Sequence, residues 1–75
     1  MTKLGEYLDL KSVNKSEVAR KTGLSKARLS ELVNKESAKL RVNELFVIAL
    51  AIDVTPGDMI EYICGDLRKS KKVSK

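Results

Sequence analysis

Side chains that react are scarce in this chain, and side chains that bind anions are plentiful. There is no histidine and one cysteine, Cys64, in 75 residues. Histidine-based acid–base catalysis and most zinc sites are therefore excluded. No carboxylates cluster beyond ordinary surface ones, so no enzyme, no metal and no cofactor is expected. A single cysteine cannot close an internal disulfide, which fits a reducing compartment, and Cys64 reads as a small core or interface residue. What remains is charge. Lys11, Lys15, Arg20, Lys21, Lys26, Arg28, Lys35, Lys39 and Arg41 face only Glu17, Glu31 and Glu36 between residues 11 and 41. Residues 42–66 hold five acids and no base, and residues 67–75 hold five bases and no acid. The net charge of +5 thus sits in the tail, on a body that is neutral but polarised. One part of that body suits a polyanion and the other repels it. A solvated charged surface is the plainer reading, so the elements that hold the basic residues decide between the two.

The chain is long enough for one domain with one small core. Hydrophobic residues make up 43% and aromatics 4%, so aliphatic side chains must fill that core. No apolar run approaches the ~20 residues that span a bilayer, and no signal peptide is visible. Apolar spacing predicts five helices and no strand. The first covers Lys3 to Leu10, with Leu4, Tyr7 and Leu8 on one side. Asn14 caps the second, with Glu17 in the capping-box position, and Gly23 ends it after Thr22. Ser25 caps the third, Lys26 to Asn34, whose Leu29, Leu32 and Val33 form one buried stripe. A Lys-, Ser- and Arg-rich loop runs from Lys35 to Val42. The fourth helix is expected from Asn43 to Ile52, with Leu45, Ile48, Ala49 and Ile52 inward. Thr55 caps the fifth, which opens on Pro56 and Asp58 and closes the core with Met59, Ile60 and Ile63. Residues 1–66 make the domain, and 67–75 are expected to be a basic, disordered tail.

The informative stretch is residues 14–34, a helix, a Gly-containing turn at Thr22 to Ser25, and a second helix. Ala19, four residues before Gly23, lets the third helix cross close to the second. That crossing turns Lys26, Ala27, Arg28, Ser30, Glu31 and Asn34 away from the body. A helix so placed fits a DNA major groove, ~12 Å wide.

The pattern Val18-Ala19, Gly23-Leu24-Ser25, Leu29-Ser30, Leu32 and Asn34 resembles the lambda-repressor/Cro-like family of helix-turn-helix regulators, also called the xenobiotic-response-element family. Leu45, Ala49, Ala51, Val54-Thr55 and Asp58 continue the match, so the likeness covers about residues 4–63. It implies an all-α, five-helix lambda-repressor-like DNA-binding domain with its helix-turn-helix at the second and third helices. It departs from the family at Leu8 and Val33, where many members carry an Arg–Glu ion pair; a joint apolar replacement of such a pair is often neutral. Lys15 stands where a Gln is usual, and the loop after the third helix is one or two residues longer.

The resemblance implies base contacts at Lys26, Ala27 and Glu31, with Arg28 beside them. Lys26 or Arg28 suits guanine N7 and O6, Ala27 a thymine methyl, and Glu31 a cytosine N4. Phosphate contacts are implied at Asn14, Lys15, Ser25, Asn34, Lys35, Lys39 and Arg41, with helix N–H groups at residues 15–17. Plainer roles stand beside these. Asn14 and Ser25 are caps in any case, and Glu31 can pair with Lys35 one turn on. Phe46 and Leu50 lie on a second apolar stripe, with Tyr62 near. They either pack under the fifth helix or form a dimer patch. The expected partners are double-stranded DNA, as a palindromic operator, and a second copy of the chain at least on DNA, without membrane. The expected setting is a bacterial or phage-encoded cytoplasmic regulator. The alternative is an antitoxin or other protein-binding module of the same fold.

Overall fold

The computed structural model describes residues 1–70, with side chains through Gly65. It contains α1 (Lys3–Leu10), α2 (Lys15–Thr22), α3 (Lys26–Asn34), α4 (Val42–Ala51) and α5 (Pro56–Ser70), and no strand among the described residues. The first three helices begin and end where the capping residues place them. Asn14 Oδ1 accepts from the Glu17 N–H at 3.1 Å, and Ser25 Oγ accepts from the Arg28 N–H at 3.0 Å. Gly23 adopts φ 82°, the left-handed conformation that glycine takes without a Cβ penalty, and its N–H donates to the Ala19 carbonyl. The core joins Leu4, Tyr7 and Leu8 of α1, Val18 and Ala19 of α2, Leu29, Leu32 and Val33 of α3, Ile48 and Ala49 of α4 and Met59 of α5. Leu8 and Val33, the positions of the family's ion pair, both lie in this apolar cluster.

Helix α1 is fastened to the C-terminal end of α3 by the backbone before it. Thr2 Oγ1 donates to the Leu32 carbonyl at 2.7 Å and lies 2.9 Å from that of Val33, while the Thr2 N–H donates to Val33 at 2.8 Å. The same hydroxyl accepts from the Gly5 N–H, so Thr2 is both N-cap and clasp. Gly5 permits the approach: a Cβ there would stand 2.8 Å from the Val33 carbonyl oxygen. On the other side of α1, the Tyr7 hydroxyl donates to Asp58 at 2.6 Å and its ring meets that of Tyr62 at 5.3 Å.

Three expectations about the second half are corrected. Helix α4 starts at Val42 and stops at Ala51, so Arg41, not a later residue, is its N-cap. Glu44, at the third position of α4, accepts from the Arg41 N–H at 3.0 Å and is only 5% exposed. Ile60, expected in the core, is 45% exposed, because Met59, Tyr62 and Ile63 already supply the stripe that faces the other helices. Helix α5 continues to Ser70, into the segment expected as tail, where Leu67, Arg68 and Lys69 are residue types with good helix propensity. The remainder of that expected tail, residues 71–75, lies outside the described residues.

Candidate nucleic-acid interface

Helix α3 is held against the core by its buried stripe of Leu29, Leu32 and Val33, which leaves its other face to solvent. The turn before it is tied locally: Thr22 Oγ1 donates to the Ala19 carbonyl and accepts from the Leu24 N–H at 3.2 Å. Lys26, Ala27, Ser30, Glu31 and Asn34 are exposed along the free face. Asn34 donates to Ser30 Oγ at 3.3 Å, a link one turn long on that surface.

The first turn of α2 lies against this face. A shallow cleft between them is lined by Lys15, Ser16, Lys26, Ser30 and Asn34, with Leu29 and Val33 at its floor. Ser16 and Lys26 also line the adjoining depression beside Arg20 and Leu24, so the two form one continuous surface. Two of the three N–H groups expected to hold phosphate remain for it. That of Glu17 is occupied by Asn14, whereas those of Lys15 and Ser16 have no intrahelical carbonyl within reach. Ser16 was not anticipated as a lining residue. Its position, second in a capped helix next to a turn, is the only sign the sequence carries. Lys15 Nζ donates to Asp9 at 2.9 Å, an exposed pair of little energetic weight that leaves the ammonium on the rim. Arg20 pairs with Glu17 in the same way, which holds the Glu17 carboxyl below its usual range.

Arg28 behaves differently from its neighbours. Expected among base-contacting residues, its side chain is turned toward Glu44 and only a quarter exposed. Nε donates to Glu44 Oε2 at 2.9 Å and Nη2 to Glu44 Oε1 at 3.0 Å, a side-on bidentate pair. Nη2 also donates to the Lys39 carbonyl at 2.8 Å. Nη1 leans toward Glu31 at 3.5 Å, so Glu31 meets the cation three residues back rather than Lys35 one turn on. The Arg28 hydrogen bonds hold the Glu44 carboxyl below the usual carboxylate range against its burial, and Glu44 in turn raises Arg28. Through this pair α3 is joined to the loop 35–41, which carries the exposed Lys35, Lys39 and Arg41 past the C-terminal end of the interface.

The apolar residues named for a dimer patch divide. Phe46 and Leu50 are 51% and 58% exposed, and with Val42, 86% exposed, they form a stripe at i, i+4, i+8 on α4. Tyr62 does not join it: it packs on Tyr7, and its hydroxyl donates to Glu6 at 3.4 Å. Cys64, read as a core or interface residue, is exposed. No group of residues that could hold a metal, and no helix long and apolar enough to cross a membrane, occurs among the described residues.

The model of the Cro/C1-type HTH DNA-binding domain matches residues 3–65, from the first residue of α1 well into α5. No curated protein and no solved structure matches the chain.

Proposed function

The chain belongs to the family of Cro/C1-type HTH DNA-binding domains, and from that premise we propose that it is a sequence-specific transcriptional regulator of the repressor/Cro kind, reading the major groove with α3. The observation that carries this reading is the cleft in which Lys26 and Ser30 of α3 share a surface with Lys15 and Ser16 at the start of α2. A groove-facing helix flanked by a helix N-terminus puts base-edge donors and backbone-phosphate donors side by side. In this reading Lys26 donates to a guanine, Ala27 meets a thymine methyl and Glu31 accepts from a cytosine amino group. Lys15, Asn34, Lys35, Lys39 and Arg41 contact phosphate, and Asn14 and Ser25 do so from their capping positions. Arg28 is left out of the reading set, since its donors are already committed.

The family is a non-enzymatic one, and the partner is double-stranded DNA. The Val42–Phe46–Leu50 stripe supports a homodimer on a palindromic operator, with two copies of α3 about 34 Å apart. The same stripe is what an antitoxin-type module offers to another protein, and sedimentation of the purified chain with and without DNA separates the two: two copies per duplex favours the first. The direct test is selection from random duplex pools at several salt concentrations. A palindrome is enriched, and Lys26→Ala removes the preference at one position per half-site, about 1–3 kcal/mol. Deleting residues 67–75 reduces the salt slope and leaves the preference intact. A chain that loses its preference on that deletion but keeps it with Lys26→Ala does not read DNA with α3.

A further inference from the structure

We propose that Glu44 sets the base specificity of α3 from outside the interface, by withholding Arg28 from the groove. The inference rests on the reading of α3 as the groove-facing helix. An arginine reads guanine with two neighbouring N–H groups, placed on O6 and N7. The guanidinium has five N–H groups, and its two useful edges share one nitrogen. In this chain that shared nitrogen, Nη2, is spent twice, on Glu44 Oε1 at 3.0 Å and on the Lys39 carbonyl at 2.8 Å. Nε is spent on Glu44 Oε2 at 2.9 Å. Neither edge is open, and Nη1 alone, 3.5 Å from Glu31, offers at most a single donor.

Glu44 is itself fixed. Its side chain is 6% exposed, and Oε1 accepts from the Arg41 N–H as well as from Arg28. Releasing Arg28 would leave a buried carboxylate without its counter-ion, a state that proteins avoid. Arg28 nevertheless stands at the third position of α3, between Ala27 and Leu29 and two residues from Lys26, where a freed side chain of its length reaches the groove. The same bonds fix the backbone of Lys39 and Arg41, and with it the spacing between α3 and the loop that carries three exposed cations. Glu44 is thus a positioning residue: it touches no DNA in this reading, and it determines which α3 side chains do.

The test compares the full-length chain with Glu44→Gln and with the double variant Arg28→Met, Glu44→Met, each shown folded by circular dichroism. Each is put through selection from random duplex pools. Glu44→Gln replaces two acceptor oxygens by one and adds a competing donor, so it should keep the parental preferences and add a guanine preference of at least about fivefold at one further position per half-site. The double variant should enrich the parental sequence unchanged. A folded Glu44→Gln chain with the parental motif alone, or a double variant that loses preference at a position, overturns the inference. Should Glu44→Gln not fold, the Arg28 Nε–H resonance of the parental chain decides. It should be slow to exchange in the free protein and stay so when the selected duplex is added, and loss of that protection on DNA overturns the proposal. A parental chain that enriches no sequence brings down the reading of α3 itself, and a parental chain that enriches one while Glu44→Gln changes nothing brings down only the role of Glu44.

Discussion

Two side-chain links between helices of this domain are built on opposite plans. On the basic side, Arg28 and Glu44 are both ionised, share two hydrogen bonds, and join α3 to the start of α4. On the acidic side, a neutral hydroxyl, that of Tyr7, donates to Asp58 and joins α1 to α5. The carboxylate in the first link is buried and that in the second stands in solvent. A buried carboxylate depends on its partner, whereas an exposed one exchanges its partner for water at small cost. The first link therefore specifies an arrangement, and the second adds a modest increment to packing that Tyr7 would supply anyway.

The largest expected effect breaks the first link on one side. Arg28→Met strands the Glu44 carboxylate and should lower stability by about 2–4 kcal/mol, read by urea unfolding. Adding Glu44→Met to it should recover most of the loss, within about 1 kcal/mol of the parental chain, since the pair is then replaced by apolar contact. Next comes a steric probe that touches neither link. Gly5→Ala forces a Cβ against the Val33 carbonyl oxygen, a backbone atom that cannot step aside, and should cost about 1–3 kcal/mol. Tyr7→Phe keeps the ring and frees an exposed Asp58, so about 1 kcal/mol or less is expected. A Tyr7→Phe loss as large as that of Arg28→Met would erase the contrast.

Titration sharpens the comparison, because the two links fail at opposite ends of the pH scale. Burial first, then the hydrogen bond to Asp58, pushes the Tyr7 hydroxyl from 10.0 up to about 12. The folded state then holds this proton more tightly than the unfolded chain. The resulting stability is fully present below pH 10 and is lost as pH rises from 10 toward 12. Glu44 is lowered, so its contribution is present above the ordinary carboxylate value of 4.5 and is lost as pH falls through its lower folded value. Thermal unfolding against pH should show both flanks, with Tyr7→Phe flattening only the alkaline one and the double Met variant only the acidic one.

Much of the helical scaffold is legible in residue order, because caps and stripes are local. Asn14, Gly23, Ser25 and Thr55 mark helix ends within four residues of the groups they bond. The paired apolar replacements at Leu8 and Val33 are legible too, since both positions fall on buried stripes. The Arg28–Glu44 pair is not. It spans sixteen residues across an irregular loop, and helical periodicity says nothing about which polar side chains a loop brings together. Reading Arg28 as solvent-facing follows from its place on the wheel, and the guanidinium's length carries it back past that place. Helix α4 hides the fate of its outer stripe for a different reason. Being apolar nearly all round, it offers two stripes; spacing puts Ile48 and Ala49 inward, as observed, but whether Phe46 and Leu50 pack under α5 or stay exposed is settled only by the packing of α4. At the interface, Lys26, Asn34 and Lys15 meet as their positions suggest, while Ser16 joins them only through the angle at which α2 meets α3.

The Thr2 clasp has a consequence for the time course of synthesis. An eight-residue helix is too short to persist alone in water, and the carbonyls that complete the cap of α1 lie thirty and thirty-one positions later. Within this domain α1 precedes α3 in the order of synthesis, and its clasp cannot close until the end of α3 has been translated and has cleared the exit tunnel. The nascent chain should therefore gain full protection at Leu4, Tyr7 and Leu8 only after Val33 emerges, so that α1, made before α3, becomes secure no sooner than α3 does.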